Sequence, residues 1–152
     1  MSRRQEHACG AILASVGVAV ASTRELPPLQ AFAESIGLVI GGIYGGRLPD
    51  RLEPARQPNH RHFAHSAALG TGMTIVLVQC GPSVRDVFRD VGCELIQARG
   101  DHEQGSWQWC LLSAFAVGAF VLAGVTMGAP VGYLSHLGLD HVKSKRGIPL
   151  LT

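Results

Sequence analysis

Residues Gln104–Ser135 read QGSWQWCLLSAFAVGAFVLAGVTMGAPVGYLS, a run without one charged side chain. A helix needs about 20 such residues to cross a bilayer, so this stretch qualifies with length to spare. Trp107 and Trp109 stand at its start, where amphipathic rings anchor a span at the membrane interface. Three further stretches are poor in charge. Ser66 to Val84 carries none and just reaches spanning length, Leu29 to Gly46 contains only Glu34, and Ala8 to Thr23 has no ionisable group except Cys9. The last two are short for a span. Between the third and fourth, Val84 to Ala98 places Val84, Val87, Phe88, Val91 and Leu95 at helical spacing, with Arg85, Asp86, Arg89, Asp90 and Glu94 between them. This spacing predicts an amphipathic helix lying on the far surface or capping the bundle. The expected fold is therefore all-α: a bundle of about four transmembrane or membrane-embedded helices plus one amphipathic helix, a single domain over residues 1–152. Buried helices of a soluble bundle are the alternative.

Composition points the same way. Charged residues are 16% and hydrophobic residues 47% of the 152-residue chain, with mean hydropathy +0.22; typical soluble proteins are about a quarter charged. Disorder and a purely electrostatic nucleic-acid binder are excluded, and with a net charge of +2 no nucleic-acid partner is expected. The 19 glycines, many inside apolar runs, suit close-packed membrane helices better than soluble ones. Cys9, Cys80, Cys93 and Cys110 show no metal-like spacing and read as small core or lipid-facing residues. Ser2 to Glu6 precedes an apolar run without a clear cleavage site, so the first stretch reads as a retained helix.

The connecting segments set an orientation. With a cytoplasmic amino terminus and four spans, one side carries Arg3, Arg4, Arg47, Arg51, Arg56, Arg61, Lys143, Lys145 and Arg146, and the other only Arg24, Arg85, Arg89 and Arg99. That asymmetry follows the positive-inside rule. The same topology gathers His7, Asp50, Glu53, His60, His62, His65, His136, Asp140 and His141 at the cytoplasmic helix ends, leaving only His102 elsewhere among the histidines. Bundles build metal sites from several helices in this way.

His136 and Asp140 are four apart, so on a helix they share a face and can point at one ion. Imidazole and carboxylate are good zinc ligands, and a catalytic zinc keeps one position for water. In Asn59–Ser66, spacing favours His62 with His65 on one helical face, while a helix starting near Phe63 frees His60 in the preceding loop to reach the same ion. Arg61 is either a phosphate-binding side chain or a topology-setting charge. Pro49 is expected to end the second helix and fix the presentation of Asp50. Ser66 and Ser135 lack the base and orienter of a nucleophilic triad.

Taken together, Leu48-Pro49-Asp50, His60-Arg61 with His65-Ser66, Gly132-Tyr133-Leu134-Ser135-His136 with Asp140, and Gly147-Ile148-Pro149-Leu150-Leu151 resemble the LexA-regulated, inner-membrane metal-dependent hydrolases, the YdjM-like family. The ordered set covers the chain from about residue 47 to the end, and His7 occupies the place of an amino-terminal family histidine. The resemblance implies a helical membrane hydrolase with a divalent metal and with His7, Asp50, His60, His65, His136 and Asp140 as ligands or site residues. Leu52 stands where the family often has Asp, with Glu53 next, and His62 replaces what is commonly a small residue. The Gly-x-x-x-His-x-x-x-Asp pattern is also distantly similar to a motif of zinc-dependent phospholipase C, which points to phosphoester substrates.

The expectation is thus a hydrolase of the bacterial-type inner membrane, with zinc as first choice of metal at the cytoplasmic face. A metal-activated water would attack a phosphoester, plausibly of a phospholipid, with Asp50 or Glu53 as general base and Arg61 on a phosphate oxygen. The competing expectations are a non-catalytic metal-binding or transport protein and a structural or regulatory membrane protein with interfacial histidines.

Overall fold

The computed structural model describes residues 3–52 and 66–143. They form α1 (Arg3–Thr23), α2 (Pro28–Leu52), α3 (Ala67–Ile75), a π-helical turn (Val76–Cys80), α4 (Gly81–Arg99) and α5 (Trp107–Lys143), with no strand among the described residues. The fold is all-α. Glu53, His60, Arg61, His62 and His65 lie outside the described residues.

Local chemistry sets the helix starts. Ser66 caps α3 by accepting a hydrogen bond from the Leu69 N–H at 3.3 Å, and the Ser106 hydroxyl accepts from the Trp109 N–H at 3.3 Å ahead of α5. The turn before α5 passes through Gly105 at φ 87°, a left-handed conformation that side chains with a Cβ rarely adopt.

Pairings along the helices fix their directions. Gly37 lies against Val121, Gly41 against Val125 and Gly45 against Ala129, so α2 and α5 run parallel. Gly42 faces Ser15 and Gly46 faces Ala11, which makes α1 antiparallel to α2. Gly70 meets Leu137, Gly81 meets Met127 and Gly92 meets Phe120, so the rod of α3, π-turn and α4 runs antiparallel to α5. The starts of α1 and α3 and the ends of α2 and α5 therefore share one end of the bundle. At the α2–α5 contact a Cβ on Gly45 would overlap the Ala129 carbonyl, and one on Gly132 the Gly42 carbonyl. These helices touch backbone to backbone, as small residues permit between membrane helices.

Two local expectations differ from the structure. Pro49 does not end the second helix; α2 continues through it to Leu52. Its ring falls over the carbonyl of Gly45, four residues back, where a helical proline forfeits a hydrogen bond, and packing buries Pro49 fully against its neighbours. The amphipathic segment is a helix, but it neither caps the bundle nor lies apart on its far surface. It continues the third stretch and packs along α5, with Gly81 and Gly92 buried and Val84, Val87 and Val91 exposed. Arg89 turns inward because Glu34, fully buried on α2, needs a cation. The guanidinium donates to both Glu34 carboxylate oxygens, at 2.7 and 2.8 Å, and to the Ser22 carbonyl at 3.1 Å.

The outer surface is apolar. Leu29, Phe32, Ile36, Ile40, Tyr44, Leu48 and Leu52 recur every three or four residues along α2 and are all exposed, opposite its glycine face. All four cysteines are exposed rather than in the core. Gln5–Thr23 and Trp107–Val142 are long and apolar enough to cross a membrane, and only 22% and 33% of their apolar windows are buried within the protein. A soluble core helix would bury most of such a window.

Candidate metal centre

Three helix ends build the site. His7 comes from the first turns of α1, Asp50 from the last turn of α2, and His136 and Asp140 from successive turns of α5. Because α5 continues eight residues past Ser135, the i, i+4 pair His136 and Asp140 sits on regular helix and faces one way, as the spacing predicts. The close α2–α5 contact then sets Asp50 against the same turn.

His7 Nε2 lies 3.5 Å from Asp140 Oδ1, His136 Nε2 3.5 Å from Asp140 Oδ2, and His136 Nε2 3.7 Å from Asp50 Oδ1. The two imidazoles stack with centroids 4.0 Å apart and planes 20° from parallel. One ligand atom each from His7, His136 and Asp140 falls within 4.8 Å of the others. A charged N–H···O hydrogen bond is about 2.8 Å, shorter than these separations. Ligands 2.0–2.2 Å from a tetrahedral zinc stand about 3.4 Å from one another, from the bond lengths and the tetrahedral angle. Separations of 3.5 Å are thus compatible with a shared ion as well as with loose ion pairs.

Burial grades the four side chains. His136 is 1% exposed at its side chain, His7 12%, Asp140 15% and Asp50 49%. Two histidines and one carboxylate are therefore held inside, while Asp50 reaches solvent. A cavity of about 400 Å³ opens beside them, lined by His7, Ala8, Gly46, Arg47, Asp50 and Arg51. That arrangement suits three ligands and a more exposed carboxylate facing an open position.

Of the residues expected at the site, the described structure brings together His7, Asp50, His136 and Asp140. His141 is exposed and does not join the cluster, and His102 stands at the other end. Arg47 and Arg51, read from sequence only as topology-setting charges, line the cavity. The signal for them was present: on a helix that runs through Pro49, they flank Asp50 at three residues before and one after. No family model matches the chain, and no curated protein and no solved structure matches it.

Proposed function

We propose that this protein is a membrane-bound, metal-dependent hydrolase acting on a phosphoester, with zinc as its ion. The observation that carries the reading is the convergence of His7, His136 and Asp140 from two helices, with one donor atom of each within 4.8 Å of the others and a solvent-facing cavity beside them. When bound there, a divalent ion supplies a water acidified to near neutrality and a Lewis acid for a phosphoryl oxygen. His7, His136 and Asp140 hold it. Asp50, 3.7 Å from His136 and half exposed, would serve as general base towards that water or complete the ligand set. His60, His65, Glu53 and Arg61 remain proposed members of the site on the sequence resemblance alone.

The membrane placement is part of the same proposal. From Trp109 to His136 is 27 residues of α5, about 40 Å at 1.5 Å per residue, which matches a bilayer measured through its headgroups. With the tryptophans at one interface, the metal cluster stands at the other, on the side of the nine basic residues and hence the cytoplasm. The protein as a whole then belongs in a bacterial-type inner membrane with all four rods spanning.

The test is hydrolysis of p-nitrophenyl phosphate and bis(p-nitrophenyl) phosphate by detergent-purified protein after zinc loading. Activity that disappears with chelator, returns with zinc and is absent from Asp140→Ala supports the reading. Stoichiometric zinc with no turnover of either ester would favour non-catalytic metal binding instead.

A further inference from the structure

The cavity beside the metal cluster has a cationic wall. Because α2 stays helical through Pro49, Arg47 and Arg51 stand four apart and share a side of its last turns. Both side chains are exposed, and Arg51 is placed with its guanidinium 6.0 Å from the Tyr44 ring centroid. His7 and Ala8 of α1 form the facing wall. Gly46 also lines it, and a Cβ there would press into the packing against the Ala11 methyl at 3.0 Å and the Gly132 carbonyl at 3.3 Å.

Charge complementarity identifies what fits. Arg47 and Arg51 balance the formal charges of Asp50 and Asp140. A divalent ion at the cluster leaves two positive charges uncompensated around the cavity. A phosphate monoester carries about −1.5 to −2 near neutral pH, from a second pKa near 6, whereas a diester carries a single charge. Guanidinium forks match pairs of phosphoryl oxygens. We propose that Arg47 and Arg51 are the anion-binding residues of this site and that they select a terminal phosphate monoester. The proposal rests on the metal-centre reading for its charge count. Exposed Leu48 and Leu52 on the same turns put apolar surface next to the arginines, so the monoester is shared chemistry between a lipid headgroup such as phosphatidic acid and a soluble compound such as glycerol phosphate.

The experiment uses the full chain in detergent micelles, wild type beside Arg47→Gln/Arg51→Gln and Arg47→Lys/Arg51→Lys. Zinc per chain is measured first, then binding of inorganic phosphate by calorimetry, then competition by glycerol phosphate, dimethyl phosphate and micellar phosphatidic acid. Zinc content equal in all three proteins, with phosphate affinity at least tenfold weaker in the glutamine variant and partly restored by lysine, supports the proposal. Stronger competition by phosphatidic acid than by glycerol phosphate assigns the lipid source, and the reverse assigns the soluble one. Unchanged phosphate affinity in a zinc-replete glutamine variant overturns the arginine assignment and leaves the metal centre standing. Dimethyl phosphate competing as well as glycerol phosphate overturns the monoester choice. A wild type that holds no zinc overturns the metal reading instead, and arginine-dependent phosphate binding by that zinc-free protein would still support the anion site.

Discussion

The two ends of the bundle handle buried charge in opposite ways. At one end Glu34 is sealed and met by a bidentate guanidinium at 2.7 and 2.8 Å, with the spare N–H given to the Ser22 carbonyl. At the other end His7, His136, Asp140 and Asp50 stand 3.5 to 3.7 Å apart beside an open cavity. The first geometry is closed and ties α4 to α1 and α2. The second sets His7 and His136 each 3.5 Å from an Asp140 carboxylate oxygen, next to that cavity. In one small fold, one cluster of ionisable side chains, the Glu34–Arg89 clamp, is thus sealed inside and the other opens onto a cavity.

That contrast is broken most severely at the clamp. Glu34→Ala or Arg89→Ala leaves an uncompensated buried charge, for which about 3–5 kcal/mol is expected. Thermal unfolding in detergent should show the loss, while zinc per folded chain stays at the wild-type value. Replacing both with methionine should recover most of the stability, because two well-packed apolar side chains remove the desolvation cost. A double variant as unstable as the single ones would mean that the pair contributes more than neutralisation.

A substitution midway between the ends should disturb both. Gly45→Val drives a side chain into the Ala129 carbonyl and forces α2 away from α5, with overpacking expected to cost about 1–3 kcal/mol. Because Asp50 follows on the next turn, the same change should weaken zinc retention, as equilibrium dialysis would register. Gly17→Val, where a Cβ meets nothing within 4 Å, is the matched control and should alter neither.

The smallest expected effect lies beyond the clamp. The Arg99 guanidinium sits 4.9 Å from the Trp109 ring centroid and donates to the Ser113 hydroxyl at 3.2 Å. Arg99→Ala should cost about 0.5–1 kcal/mol and leave the metal end untouched. Sidedness is open to the same two-ended logic, since exposed Cys9 marks the metal end and exposed Cys110 the other. In intact cells an impermeant maleimide should label a protein whose only cysteine is Cys110 and spare one whose only cysteine is Cys9. The opposite pattern would invert the proposed orientation.

The helical class was legible in the sequence because four stretches are poor in charge and the fourth alone exceeds spanning length. His136 and Asp140 were legible because i, i+4 spacing needs only local helix. The clamp was not, since pairing Glu34 with Arg89 depends on where α4 docks, and the helical spacing of Val84, Val87, Phe88, Val91 and Leu95 showed an amphipathic helix without its docking. In the structure Val84, Val87 and Val91 are exposed and Arg89 turns in. Arg47 and Arg51 were hidden by the proline between them, which in most helices would have separated them from one shared face. The parallel register of α2 on α5, which delivers Asp50 to His136, followed from glycine contacts that no single helix displays by itself.

The central claim is that His7, His136 and Asp140 form a metal centre, and elemental analysis of the purified full chain tests it most directly. Wild-type protein should carry stoichiometric zinc, or take it up from a zinc-loaded buffer, while His136→Ala and Asp140→Ala should retain little and Glu34→Ala should retain all of it per folded chain. Zinc absent from the wild type after loading, or equal in the wild type and both site variants, would contradict the account.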